Sequence, residues 1–103
     1  MTISEFKALI IGVDPKATRN KGGGTNNYTV WSVGGNVNVV MSDDEPDEIT
    51  KRCYIYRFTK SDSDAITDAL EAALIEHFVP YEYEQMYEED TGYIHHSFTC
   101  IVG

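Results

Sequence analysis

Few residues in this chain have the type and spacing to do chemistry. They are two cysteines (Cys53 and Cys100), the adjacent pair His95 and His96, a lysine preceding three glycines, and a run of carboxylates. Nucleophilic catalysis needs a serine or cysteine held against a histidine that a carboxylate orients. His96 and Cys100 share a strand face at i and i+4, about 13 Å apart along an extended chain, too far for contact. Cys53 could approach His96 only across paired strands. With no nucleophile elbow or triad spacing, the pattern does not point to an enzyme. Neighbouring histidines on a strand project to opposite faces, so His95 and His96 cannot serve one metal within that strand. His96, between Ile94 and Phe98, reads as a hydrogen-bonded core histidine. Lys21-Gly22-Gly23-Gly24-Thr25 inverts a phosphate loop, in which the lysine follows the last glycine at a helix start. Here a strand follows, so the segment reads as a flexible loop. Ser42 to Glu48 holds five carboxylates in seven residues, including Asp43, Asp44 and Glu45. It lacks the spaced ligands and central glycine of a calcium loop and reads as a solvated acidic connection. Two distant cysteines make neither a disulfide framework nor a four-ligand zinc site, and buried free thiols are expected.

The elements that would position these residues follow from periodicity. Thr2 and Glu5 have capping-box spacing, Ile3, Phe6, Leu9 and Ile10 share a helical face, and Gly12 can take the left-handed C-terminal position. Residues 18–27 read as a long mobile loop. Tyr28 to Val33 is β-branched and aromatic, and Asn36 to Met41 alternates, with Gly34-Gly35 between them as a bulge or tight turn. In Lys51 to Thr59, Tyr54, Tyr56 and Phe58 alternate with Cys53, Ile55 and Arg57. Ser61 and Asp64 offer a second cap, and Ile66, Leu70, Ala73, Leu74 and Phe78 recur at helical spacing. After Pro80, Tyr81, Tyr83 and Tyr87 oppose Glu82, Glu84 and Glu88. A turn at Glu89 to Gly92 leads to a last strand with Ile94, His96, Phe98, Cys100 and Val102 on one face. Helix, three strands, helix, two strands, without regular βα alternation, predicts an α+β fold, a sheet with helices packed on one face. At 103 residues the chain fits one domain over 1–103.

The composition, 42% apolar and 24% charged, is that of ordinary globular proteins. No apolar run approaches a membrane span and the N-terminus does not read as a secretory signal, so a cytosolic product is expected and no membrane partner. The net charge of −9 is unevenly placed. Residues 1–27 carry four basic and two acidic groups, and residues 61–103 carry ten acidic and no basic groups. Such a surface repels phosphate, and only Lys16, Arg19 and Lys21 could form a basic patch, so specific nucleic-acid binding is not expected. The tyrosine stripe Tyr81, Tyr83 and Tyr87 is suited to an interface, because tyrosine offers rigid contact area with a polar tip. Half-buried strand packing explains it equally well.

The element order and three local stretches resemble the tail terminator or tail completion proteins of long-tailed phages. The stretches are Asn27 to Ser32 after a loose loop, Arg52 to Arg57 leading through Thr59-Lys60-Ser61 into the amphipathic helix, and the closing hairpin Tyr87 to Phe98. The resemblance runs over nearly the whole chain. It implies a virion structural protein without cofactor or reaction, assembled in the host cytoplasm. Such a protein closes the head-proximal end of the tail tube as a ring, usually a hexamer, and meets the tail tube protein and a head-side connector or stopper. DNA would pass through its channel without specific binding. A ring needs heterologous contacts between unlike faces. Charge segregation offers a candidate, with Lys16, Arg19 and Lys21 approaching a neighbour's carboxylates and Asp43, Asp44, Glu45, Tyr81, Tyr83, Tyr87 and Glu88 as further interface residues. A different class fits the acidity alone: a DNA mimic that occupies the basic groove of a host defence nuclease.

Overall fold

A computed structural model describes residues 1–22, 27–36 and 50–103. Helix α1 (Ile3–Val13) is followed by strands β1 (Thr18–Arg19), β2 (Tyr28–Asn36) and β3 (Lys51–Thr59), then helix α2 (Ala65–Glu76) and strands β4 (Tyr81–Tyr87) and β5 (Ile94–Val102). The fold is α+β. The sheet order is β1-β2-β3-β5-β4, with β1 parallel to β2 and every other pair antiparallel. After α2 the chain returns to the far edge as β4 and then reverses, so that β5 fills the place beside β3.

Strand parity decides which side chains meet the helices. The register Trp31–Ile55–Phe98 and the pairing of Cys53 with Cys100 put these residues on one face, where Phe6, Leu9 and Ile10 of α1 and Leu70 and Leu74 of α2 close over them. Phe6 meets the Trp31 ring edge-on at 6.1 Å. Apart from Phe78, the expected helical faces are those turned to the core, and both helices lie on one side of the sheet.

The α1 capping box forms as expected: the Glu5 N–H donates to Thr2 Oγ1 at 3.1 Å and the Thr2 N–H to Glu5 Oε1 at 3.0 Å. Its C-terminus differs from expectation. Gly12 stays helical, and the helix stops at Asp14, whose backbone is extended at φ −133°. Pro15 accounts for this, because a residue before proline is driven out of helical conformation. Asp64 alone caps α2, accepting from the Thr67 N–H at 2.8 Å and the Thr67 hydroxyl at 2.7 Å.

Both helix ends are fixed by one buried arginine. Arg57, 4% exposed, shares the core face of β3 with Cys53 and Ile55. It grips the Asp64 carboxylate with Nε at 3.0 Å and Nη2 at 3.3 Å. Nη1 donates to Thr29 Oγ1 on β2 at 3.2 Å and lies 3.6 Å from the Asp14 carboxylate. One fork thus joins the end of α1, the start of α2 and two strands. Burial pushes the Asp64 carboxyl up, but hydrogen bonds from Arg57 and Thr67 outweigh it and hold the pKa below the usual value of 3.8.

Two other expectations are corrected, and the bulge expected at Gly34-Gly35 is present. Thr18 and Arg19, read as loop, pair in parallel with Val30 and Trp31, and the guanidinium of Arg19 lies 5.1 Å from the Trp31 ring centroid. That contact is a tertiary reward which a polar local sequence does not announce. Phe78 does not extend the core face of α2, for the helix ends at Glu76 and Phe78 takes φ 56°. Pro80 forces Val79 into extended backbone, so the helix must reverse first, and Val79 enters the core in place of Phe78. The pair Gly34-Gly35 interrupts the β2–β3 register as a bulge between Val33 and Asn36. A Cβ on Gly34 would stand 2.8 Å from the Tyr54 ring and 3.0 Å from the Arg52 carbonyl oxygen, so glycine is required there. The strand expected over Asn36 to Met41 lies, beyond Asn36, outside the described residues.

Candidate interaction surfaces

The sheet has two unlike edges. At one, Lys16, Arg19 and Lys21 are all exposed around β1. The Asp14 carboxylate shapes the approach by accepting from the Lys16 N–H at 3.1 Å. Three intervening strands separate this cluster from β4 at the other edge. Hence the basic residues and the tyrosines expected to share an interface do not meet within one copy. Asp43, Asp44 and Glu45 lie outside the described residues.

The bonds Ile101 N–H to Pro80 O at 2.9 Å and Glu88 N–H to Tyr93 O at 2.8 Å fix the alternation along β4. Even-numbered residues bond to β5, so Tyr81, Tyr83, Gln85 and Tyr87 turn their N–H and C=O groups off the edge. Their side chains lie on the helix face, while Glu82, Glu84 and Met86 lie on the other. Tyr81 and Tyr83 are partly used by the fold, packing on Phe98 with ring centroids 6.0 and 5.0 Å away. Tyr87 is 63% exposed. Glu88 accepts from the Thr91 hydroxyl at 3.1 Å and lies 3.7 Å from His95 Nδ1. The acidic edge also discourages like-to-like strand pairing.

The face away from the helices was not anticipated as a surface. Tyr28 and Phe58 stack at 4.6 Å, Phe58 and His95 at 4.4 Å, and Tyr54 and Tyr56 at 5.9 Å. These rings are half-buried, and neither helix lies over them. The alternation of Tyr54, Tyr56 and Phe58 with Cys53, Ile55 and Arg57 carried the signal, since both faces of that strand are largely apolar. At one end this face opens into a cleft of about 560 Å³ between β3, β4 and β5, walled by Tyr54, Pro80, Tyr81, Thr99 and Ile101, with Arg52 and Glu82 supplying one charge of each sign.

Nucleophilic groups are held in unreactive settings. Cys53 and Cys100 face each other across β3 and β5 in the core as free thiols. Burial raises both pKa values, that of Cys100 to about 12, so neither is a thiolate at neutral pH. Thr59 gives its single hydroxyl proton to the Ser61 carbonyl at 2.6 Å, so His96 Nε2, 2.9 Å away, must donate to Thr59. The neutral ring then leaves Nδ1 to accept from the Tyr83 hydroxyl at 2.6 Å, a closer partner for that one proton than Gln85 Oε1 at 3.2 Å. His96 is the hydrogen-bonded core histidine that its position predicted.

Burial holds the pKa of His96 below its usual 6.5, with Arg57 and His95 acting in the same direction. The unfolded chain therefore binds a proton that the folded chain refuses. The contribution to stability is complete above pH 6.5 and declines as pH falls from there through the folded value. Denaturant unfolding at pH 7.5 and 5.5 should show a larger loss for wild type than for His96→Gln, and equal losses would contradict the neutral buried ring.

Among the described residues, no three His, Cys, Asp or Glu side chains come together as a metal site, and no helix is long and apolar enough to cross a membrane. No protein-family model matches the chain, and no curated protein matches it. Among solved structures, a chain from the virion of a native gene transfer agent particle has the same fold, with a TM-score of 0.53 and 13% identity. The match covers 91% of this chain and 82% of the other.

Proposed function

We propose that this chain is a virion structural protein that closes the tail tube as a ring, of six copies as its resemblance to tail terminators implies, and forms the joint to the head-side connector. One observation carries the reading: a fold shared over nearly its whole length with a chain of a gene transfer agent virion. The segregated edges support it, because cations and carboxylates too far apart to pair within one copy are available to pair between copies. In the ring, Lys16, Arg19 and Lys21 approach carboxylates of the next subunit. Remaining acidic groups face the channel, where like charge keeps DNA from adhering.

The DNA-mimic reading needs carboxylates spaced along one face. Glu82 and Glu84 instead lie on the open side of the sheet, whereas Asp68 and Glu76 belong to α2 on the other. Deleting the protein from its particle tests the proposal. The expected products are filled heads and separate tubes, with joining restored by purified protein. Normal joined particles in its absence would refute it.

A further inference from the structure

Tyr83 holds its single hydroxyl proton between two acceptors. Its oxygen lies 2.6 Å from His96 Nδ1 and 3.2 Å from Gln85 Oε1. Gln85 stands directly opposite His96 in the β4–β5 register, and Tyr83, opposite Phe98, is its neighbour on the same face. Odd-numbered residues of β4 turn their backbone groups off the edge, so Gln85 and His96 form a non-hydrogen-bonded pair, the kind whose side chains lie closest. Three side chains thus link an imidazole only 1% exposed to an exposed residue on the edge strand.

The far side of the imidazole is fixed, since His96 Nε2 donates to Thr59 Oγ1, whose own proton goes to the Ser61 carbonyl. Nε2 keeps its hydrogen in both charge states, so a second proton can enter only at Nδ1, the atom that faces Tyr83. Once protonated, Nδ1 no longer accepts; it donates to the Tyr83 oxygen, and the tyrosine proton must turn elsewhere. Gln85 Oε1 is the acceptor already within reach. No covalent bond of Tyr83 breaks, because its O–H only rotates. Burial opposes the imidazolium most strongly, Asp64 and Asp68 at the start of α2 favour it, and Arg57 on β3 and His95 on β5 oppose it. Burial, with Glu71 and Asp68 of α2, raises the Tyr83 pKa above its usual 10.0, so the hydroxyl keeps its proton while the histidine titrates.

The geometry points to a proton-linked switch: when His96 Nδ1 is protonated, the Tyr83 hydroxyl turns from it to Gln85 Oε1 and ties down a side chain at the exposed edge of β4. The charge state of a buried imidazole is thereby passed to the rim of the sheet. The switch is complete within one copy and stands apart from the tail-tube reading.

Nitrogen-15 NMR of the His96 imidazole and the Gln85 side-chain amide, followed from about pH 8 to about pH 4.5 across the histidine range, tests it. At high pH, Nε2 should be the protonated nitrogen. As Nδ1 gains its proton, the Gln85 amide should shift with the same midpoint. Gln85→Leu removes the second acceptor and should lower that midpoint by about half a pH unit, the equivalent of one hydrogen bond at a partly exposed site. In a Tyr83→Phe background the same substitution should leave the midpoint where it is, because no hydroxyl remains to turn. An unchanged midpoint in Gln85→Leu would mean that the tyrosine proton turns to water, and an equal shift in both backgrounds would mean that Gln85 acts without Tyr83. Either result overturns the switch. So does unfolding of the wild type before His96 takes its proton.

Discussion

Replacing Arg57 by methionine should cost the fold about 3–5 kcal/mol, the largest loss expected from any single polar substitution in the chain. The removed guanidinium leaves Asp14 and Asp64 buried without a cation, and it releases the end of α1 and the start of α2 together. Thermal unfolding should register a fall in Tm of more than about 10 °C in a domain of this size. Arg57→Lys should recover little, since an ammonium cannot hold both oxygens of Asp64 and reach Thr29. The sign of the acid response should change as well. In wild type, the Asp64 pKa lies below 3.8, so its contribution is present above that value and is lost as pH falls through the folded pKa. In Arg57→Met the desolvation of Asp64 is opposed by Thr67 alone and its pKa rises; once it exceeds 3.8, acidification through that range stabilises the variant where it destabilises wild type. A melting temperature within a few degrees of wild type would contradict the role given to this fork.

Reversing Lys16, Arg19 and Lys21 together to glutamate should separate assembly from folding. The side chains are exposed, and only Arg19 makes a contact of note, with Trp31. Loss of that exposed cation–π contact costs about 0.5–1 kcal/mol, so the variant should remain folded. Assembly should fall about a hundredfold at low salt, because attractive charge contacts between copies become repulsive. Salt should reduce the difference, as screening weakens exposed charges. Unchanged ring formation by sedimentation would remove this cluster from the interface.

The legible parts of the fold were those governed by local rules. Thr2 and Glu5 announce a helix start because the capping box is satisfied within four residues. The alternation from Ile94 to Val102 announces a buried face because strand period is fixed. Parity also placed Arg57 beside Cys53 and Ile55, although its partners Asp14 and Asp64 come from distant segments and could not be read in one dimension. The misreadings arise where a residue outside the local pattern decides the outcome, a following proline in two cases and a strand partner in the third. Gly12 suggested a helix stop, but Pro15 moved it to Asp14. Phe78 continued a helical period, but Pro80 forced the chain to reverse before it. Thr18 and Arg19 are strand only because Val30 and Trp31 offer a partner. As for the site, the charge asymmetry was visible in the sequence, but its separation onto opposite sheet edges is a property of strand order.

Imaging the particle by electron cryomicroscopy, with this chain fitted into the density, tests the central proposal most directly. The account predicts a closed ring of copies at the head-proximal end of the tail tube, each meeting the next through unlike faces. Density for the chain elsewhere in the particle, or its absence from purified particles, would contradict it.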